Sequence, residues 1–134
     1  MTLKNMRLTN FPNGIQSFFV SDDAVEKVAA YTVVTTTDSG KTFVSKTDGV
    51  IFTLPAIAIG NTVTFFNTAE DGVNTLTISP NANDGITYAG SSTDNKDIIN
   101  TKATSKKGDY VTLASLDGVV AWQVTDIRGI WAKE

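Results

Sequence analysis

The sequence contains no cysteine and no histidine. Without cysteine there is no disulfide framework, no thiolate ligand and no thiol nucleophile, so stability rests on packing, hydrogen bonding and association with partners. Without histidine the chain lacks the side chain best suited to proton transfer near neutral pH, which is also the commonest metal ligand; most hydrolytic triads and zinc sites are excluded. No segment approaches the ~20 apolar residues of a membrane-spanning helix. The N-terminus lacks a basic region, a continuous apolar stretch and a small-residue cleavage site, and the expectation is synthesis in a cytosol. Positive charge is also in short supply: 11 Lys and Arg against 14 Asp and Glu give a formal net charge of −3. Such a chain has no general attraction to phosphate backbones, so neither nucleic acid nor membrane is expected as a partner.

What is present fits one domain with an appendage. A chain of 134 residues buries a single core but not a core plus a large second module. There is no tandem repeat and no low-complexity tail. The composition changes at about residue 30. Before it lie the stretch LTNFPNGIQSFFV (Leu8 to Val20) and SDDAVEKVAA, where Ser21 is placed to cap a short helix. Asp22 and Asp23 would sit at its positive end, with Val25, Val28 and Ala29 on one face.

After residue 30 come short runs rich in Thr, Val, Ile and Phe, with strands expected near YTVVTTT, KTFVSK, GVIFTLP, NTVTFFN, NTLTISP, DIINTK, DYVTLAS and VAWQVTD. In NTVTFFN, Val63 and Phe65 share one face while Thr62, Thr64 and Phe66 share the other. In DYVTLAS, Val111 and Leu113 oppose Tyr110, Thr112 and Ala114. Turn chemistry separates the runs at Asp38-Ser39-Gly40, Asp48-Gly49, Asp71-Gly72, Asp84-Gly85, Gly108-Asp109 and Asp117-Gly118. Leu54-Pro55 and Ser79-Pro80 should end strands, because proline gives no N–H to a ladder. The spacing predicts an all-β fold: an antiparallel β-sandwich, jelly-roll-like, over residues 31–134, with an extended N-terminal arm and one short helix over 1–30.

Few residues suggest chemistry. Asp84, Asp94 and Asp97 lie close in an unpatterned stretch and invite a calcium reading, but the spacing fits no calcium loop and Asx-turns explain the same pattern. Asp22 and Asp23 are adjacent, so helix-dipole pairing accounts for them better than a paired-carboxylate site does. Gly40-Lys41-Thr42 has the end of a phosphate loop without its glycine spacing or helix, and reads as a turn entering a strand. No metal, no cofactor and no enzymatic activity are expected. Lys102, Lys106 and Lys107 form a basic cluster, better read as guarding an exposed strand edge than as docking on an acidic protein surface or on nucleic acid. Trp122 and Trp131, with Tyr110 and Tyr88, would offer stacking faces for a sugar or a base, but Trp122, between apolar neighbours, reads as core or interface. Trp131 reads as buried against its own sheet or a neighbouring subunit.

Leu8-Thr9-Asn10-Phe11-Pro12-Asn13-Gly14-Ile15, followed by Ser17-Phe18, resembles the short N-terminal segment that begins various tailed-phage virion proteins. The rest of the chain resembles a β domain of phage head-fibre and capsid-decoration proteins through Asp38-Ser39-Gly40-Lys41, Phe52-Thr53-Leu54-Pro55, Gly108-Asp109-Tyr110-Val111-Thr112-Leu113, Trp122 and Arg128-Gly129-Ile130-Trp131. The resemblance implies a structural virion protein, commonly a homotrimer, made in the host bacterial cytoplasm. It would bind the major capsid protein on the outer surface of the head as a decoration or cement protein.

The physical reading is compatible. An apolar arm carrying Leu8, Phe11, Pro12, Ile15, Phe18 and Phe19 would dock on a preformed surface, each large buried side chain contributing roughly 1.5–3 kcal/mol before ordering costs. Three arms on a trimer would add avidity. Lys102, Lys106, Lys107 and Trp131 are the expected further contacts to subunit or capsid. The alternative is a short head fibre or tail accessory protein whose exposed loops bind host-surface glycan, with Tyr88 beside TYAGSSTDNKD as the contact.

Overall fold

The alternation of NTVTFFN and DYVTLAS decides which side chains enter the interior: Val63, Phe65, Val111 and Leu113 are buried, and Thr64, Phe66, Tyr110 and Thr112 face outward, partly exposed. The computed structural model describes residues 24–118 and 120–134. Among these are strands β1 (Ala24–Glu26), β2 (Tyr31–Thr32), β3 (Thr42–Ser45), β4 (Ile51–Thr53), β5 (Thr62–Asn67), β6 (Leu76–Ser79), β7 (Gly85–Thr87), β8 (Ile98–Asn100), β9 (Tyr110–Ala114), β10 (Ala121–Arg128) and β11 (Ala132–Lys133), with one helical turn, α1 (Thr35–Asp38). They form two packed sheets, β1-β3-β5-β9-β10-β7 and β11-β8-β6-β4-β2. The fold is an all-β sandwich.

The pairing differs from the antiparallel, jelly-roll-like winding expected. Parallel pairs join β1 to β3, β3 to β5, β2 to β4, β4 to β6 and β7 to β10, while β5–β9, β9–β10, β6–β8 and β8–β11 are antiparallel. From β1 to β6 the chain alternates between the sheets, so each strand lies beside the one two places earlier and runs the same way. A parallel neighbour needs a crossover, usually a helix. Here the crossover is a strand of the opposite sheet. Turns at ten-residue spacing suit such crossings as well as they suit hairpins.

Two local expectations are also corrected. Where SDDAVEKVAA is described it forms β1, not a helix: Val25 lies opposite Phe43 in parallel register and packs on the core. The six-stranded sheet therefore includes residues assigned to the arm. Conversely, YTVVTTT yields only the two residues of β2 before turning into α1, because the Asp38 carboxylate accepts the Val34 N–H at 2.8 Å and the Tyr31 hydroxyl at 2.7 Å. That closes the chain into a turn. Asp84-Gly85 is not a glycine turn either. Gly85 begins β7, and a Cβ there would lie 2.3 Å from the Ser92 carbonyl oxygen.

The core is aromatic at its centre. Phe43 and Phe65 from one sheet meet Phe52 from the other at centroid distances of 5.6 and 4.9 Å. Leu54, Leu76, Ile78, Ile86, Ile98 and Trp122 extend it. Trp131 is buried as well, its indole N–H donating to the Arg128 carbonyl at 2.9 Å.

One end of the core is polar. Asn67, Asn74, Asn100 and Asp109 are buried there and bonded to one another: Asn67 Nδ2 donates to Asn100 Oδ1 at 2.7 Å, Asn100 Nδ2 to Asp109 Oδ2 at 2.9 Å, and Asn74 Nδ2 to Asn67 Oδ1 at 3.2 Å. Asn100 also donates to the Ile130 carbonyl at 3.1 Å. Gly129 (φ +97°) lies against this cluster, where a Cβ would fall 2.2 Å from Asp109 Cγ. Such groups are tolerated in an interior only when paired. Asn100→Ala takes one partner each from Asp109, Asn67 and the Ile130 carbonyl, leaving Asp109 the Lys106 N–H and Asn67 the Asn74 carbonyl, and should cost roughly 2–3 kcal/mol by urea denaturation, whereas the exposed Thr101→Ala should stay within about 0.5 kcal/mol.

Candidate functional site

The directions of the strands make the two ends of the sandwich different. β1, β3 and β5 begin at one end, as their registers require: Ala24 opposite Thr42, Thr42 opposite Thr64, and Thr62 opposite Ala114, the last residue of β9. At this end the loops 54–61 and 115–120 are tied together by Gly60 N–H to the Ser115 carbonyl and Ser115 N–H to the Asn61 carbonyl. They expose Ile59 (72%), Leu116 (60%) and Val120 (53%). LPAIAIGN has no charged residue and SLDGVV has only Asp117. The segment carrying Leu8, Phe11, Pro12, Ile15, Phe18 and Phe19, and with it Asp22 and Asp23, lies outside the described residues, but it joins the domain at Ala24, at this apolar end.

The first turn at that end is held by one carboxylate. Buried Asp38 accepts the Tyr31 hydroxyl, the Val34 N–H and the Lys41 ammonium, the last at 3.3 Å. Burial alone would raise its pKa, but the Tyr31, Val34 and Lys41 contacts outweigh burial and hold it below the usual carboxylate range. The same contact, aided by burial, pushes the Tyr31 phenol up to about 12. Gly40-Lys41-Thr42 is thus a turn into β3, with its lysine committed to Asp38.

The opposite end is charged and self-paired. Lys102 bonds Asp48, Lys106 lies 3.5 Å from Asp71, and Lys107 lies 2.9 Å from Glu70. The Lys102 ammonium holds the Asp48 carboxyl low, as the Lys107 backbone N–H and the nearby lysines do for Asp71. The basic cluster therefore stands on the loop between β8 and β9, not on a strand edge, with each lysine opposite an acid.

The other residues singled out fall elsewhere. Tyr88 packs on the core and its hydroxyl reaches the Trp131 carbonyl at 3.5 Å, so it is not a free loop aromatic. Trp131 is buried and faces its own protein. Asp84 Oδ2 accepts the Ile57 N–H at 2.9 Å, and Asp94 pairs with Gly85 through a backbone bridge. Among the described residues no group of three or more acidic side chains is gathered as a metal would require. Lys133 is an internal tie: its ammonium donates to the Ile86 carbonyl at 2.6 Å and the Lys96 carbonyl at 3.2 Å, and burial pushes its pKa down.

Sequence reasoning named Tyr110 as a possible stacking aromatic but passed over Phe66 and the outer face of the six-stranded sheet that the two share. Glu26, Val44, Phe66, Tyr110 and Arg128 lie opposite one another in register across five strands. Phe66 and Tyr110 form a pair at 4.8 Å between ring centroids. The Tyr110 hydroxyl donates to Asp126 at 3.0 Å, and this bond raises the phenol pKa. The signal was present, since the alternation already set Phe66 and Tyr110 on the solvent side. Beside Val44 opens a cleft of about 530 Å³ lined by Glu26, Lys46, Thr68, Glu70, Val73 and Lys107.

These features define a class, an all-β sandwich with mixed sheets, whose paired lysines and acids gather at one end together with exposed Val28, Val73 and Ile130, while the opposite end exposes Ile59, Leu116 and Val120. Compared with known proteins, the chain matches no protein family and no curated relative.

The Tyr31–Asp38 bond predicts alkaline behaviour. A phenol with a pKa near 10 when unfolded and about 12 when folded contributes stability that is complete below pH ~10 and lost as pH rises through ~12. Tyr31→Phe should lower the urea midpoint at pH 8 and flatten the fall between pH 10 and 12.

Proposed function

We propose that the protein is a structural component of a phage virion: a decoration or cement protein that sits on the outer surface of the head, bound to the major capsid protein as a homotrimer. Residues 1–20 act as the anchor and the sandwich as the body that covers the shell. The resemblance of the N-terminal segment and of the β-domain motifs suggests this role. The observation that carries it is that the chain enters the sandwich beside two loops, 54–61 and 115–120, that expose aliphatic side chains and hold a single charged residue, Asp117.

The chain joins the sandwich at the end that exposes Ile59, Leu116 and Val120, two strand spacings or roughly 10 Å from the start of β5. An apolar anchor and an apolar end on the same side suit one continuous docking surface. The opposite end also exposes Val28, Val73 and Ile130, but among lysines and acids already paired with one another, which gain little from a partner. Contact by one arm would be modest. Three arms with three apolar ends multiply it, the later engagements being intramolecular.

Removal of residues 1–20 should leave a sandwich that melts within a few degrees of the full chain and no longer co-sediments with capsids of the source phage. Full-strength capsid binding by the truncated protein would overturn the reading. Light scattering on both forms should give a trimer, because the subunit contacts are assigned to the sandwich.

A further inference from the structure

We propose that the outer face of the six-stranded sheet is a binding site for an uncharged oligosaccharide, with Phe66 and Tyr110 as its stacking platform. This goes beyond attachment to a capsid and uses different residues.

A sheet face turned to water ordinarily carries polar side chains, and threonines do so here at 62, 64 and 112. Two adjacent aromatic rings on such a face are not explained by the core, which lies on the other side of the strands. Neither ring is fully covered, and Tyr110 is held in position by its bond to Asp126. Aromatic faces pack against the C–H surfaces of a sugar ring while a polar rim meets its hydroxyls; side chains with an apolar body and a polar tip suit surfaces that are half dry and half wet.

The row running from Glu26 through Val44, Phe66 and Tyr110 to Arg128 crosses four strand spacings, roughly 19 Å. It is long enough for several linked sugars. At the Val44 end it opens into the cleft containing Glu26, Lys46, Thr68, Glu70 and Lys107.

The charges of that cleft choose the ligand class. Lys46 lies 3.9 Å from Glu26, and Lys107 lies 2.9 Å from Glu70, so acids and bases are present in equal number and already paired. An anionic ligand approaching either ammonium would meet the carboxylate that stands beside it. A nucleotide meets that obstacle through its phosphates on a protein of net charge −3. A neutral polyol does not, because its hydroxyls donate to the carboxylates and accept from the ammonium groups without breaking either pair.

The test is a ¹H–¹⁵N titration of the full chain with soluble uncharged oligosaccharides of glucose, galactose, mannose, xylose and N-acetylglucosamine, alongside an acidic polyuronate. At least one neutral sugar should move the amides of Thr64, Phe66, Thr68, Tyr110 and Thr112 saturably. Tyr110→Ala should weaken that binding tenfold or more, Tyr110→Phe should retain it, and Tyr88→Phe should leave it unchanged. Tyr110 projects from the surface, so its variants decide the matter even where Phe66→Ala does not fold. Absence of shifts on this face at millimolar sugar, equal binding by a folded Tyr110→Ala protein, or preference for the polyuronate would overturn the proposal. Capsid binding does not enter the measurement, so the anchoring role and the sugar site stand or fall separately.

Discussion

Asn100 stands where the two sheets are fastened together. Its amide gives hydrogens to Asp109 and to the Ile130 carbonyl, and its oxygen receives one from Asn67. These partners come from the end of β5, the start of β9 and the turn between β10 and β11; Asn74 adds the approach to β6 and reaches the Ser45 carbonyl at the end of β3. Apolar packing alone would tolerate the sheets sliding past one another. Buried amides do not, since any shift leaves donors without acceptors in a medium that offers no water. The network thus pins the ends of β3 and β5 in one sheet to the approach to β6 and the end of β8 in the other.

That pin also distributes chemistry between the ends. The network takes up one end of the core, and the loops around it carry the paired lysines and acids. Both ends leave aliphatic side chains outside the core, Val28, Val73 and Ile130 at this one and Ile59, Leu116 and Val120 at the other, where loops 54–61 and 115–120 hold only Asp117 as a charge. Because β1, β3 and β5 all begin there, the N-terminal segment is attached to the apolar end by topology. The end at which the segment enters follows from strand direction, and the anchoring role proposed for the arm rests on it.

Much of the fold could be read from residue order. Alternation assigned the faces of β5 and β9, Pro55 and Pro80 follow the ends of β4 and β6, and the burial of Trp122 follows from its apolar neighbours. What escaped depends on partners distant in sequence. Parallel pairing was hidden because a turn that crosses to the other sheet uses the same Asp-Gly chemistry as a hairpin. Asn67, Asn74 and Asn100 look like loop residues until they are brought together. Val25 has helical spacing to Val28 and Ala29, yet the open edge of β3 captures it as a strand, an instance of tertiary context overriding a weak local preference. Tyr88 looked exposed in a polar stretch, and only the position of Trp131 shows where it is held.

The proposed role is one of orientation, and the measurement that tests it most directly is an electron cryomicroscopy reconstruction of phage capsids mixed with this protein. The expected map places Ile59, Leu116 and Val120 against the shell, with density for the N-terminal segment continuing into the major capsid protein and Lys102, Lys106 and Lys107 facing outward. A map with the charged loops on the shell and the apolar end outward, or with no copy of the chain on the head, would contradict the account.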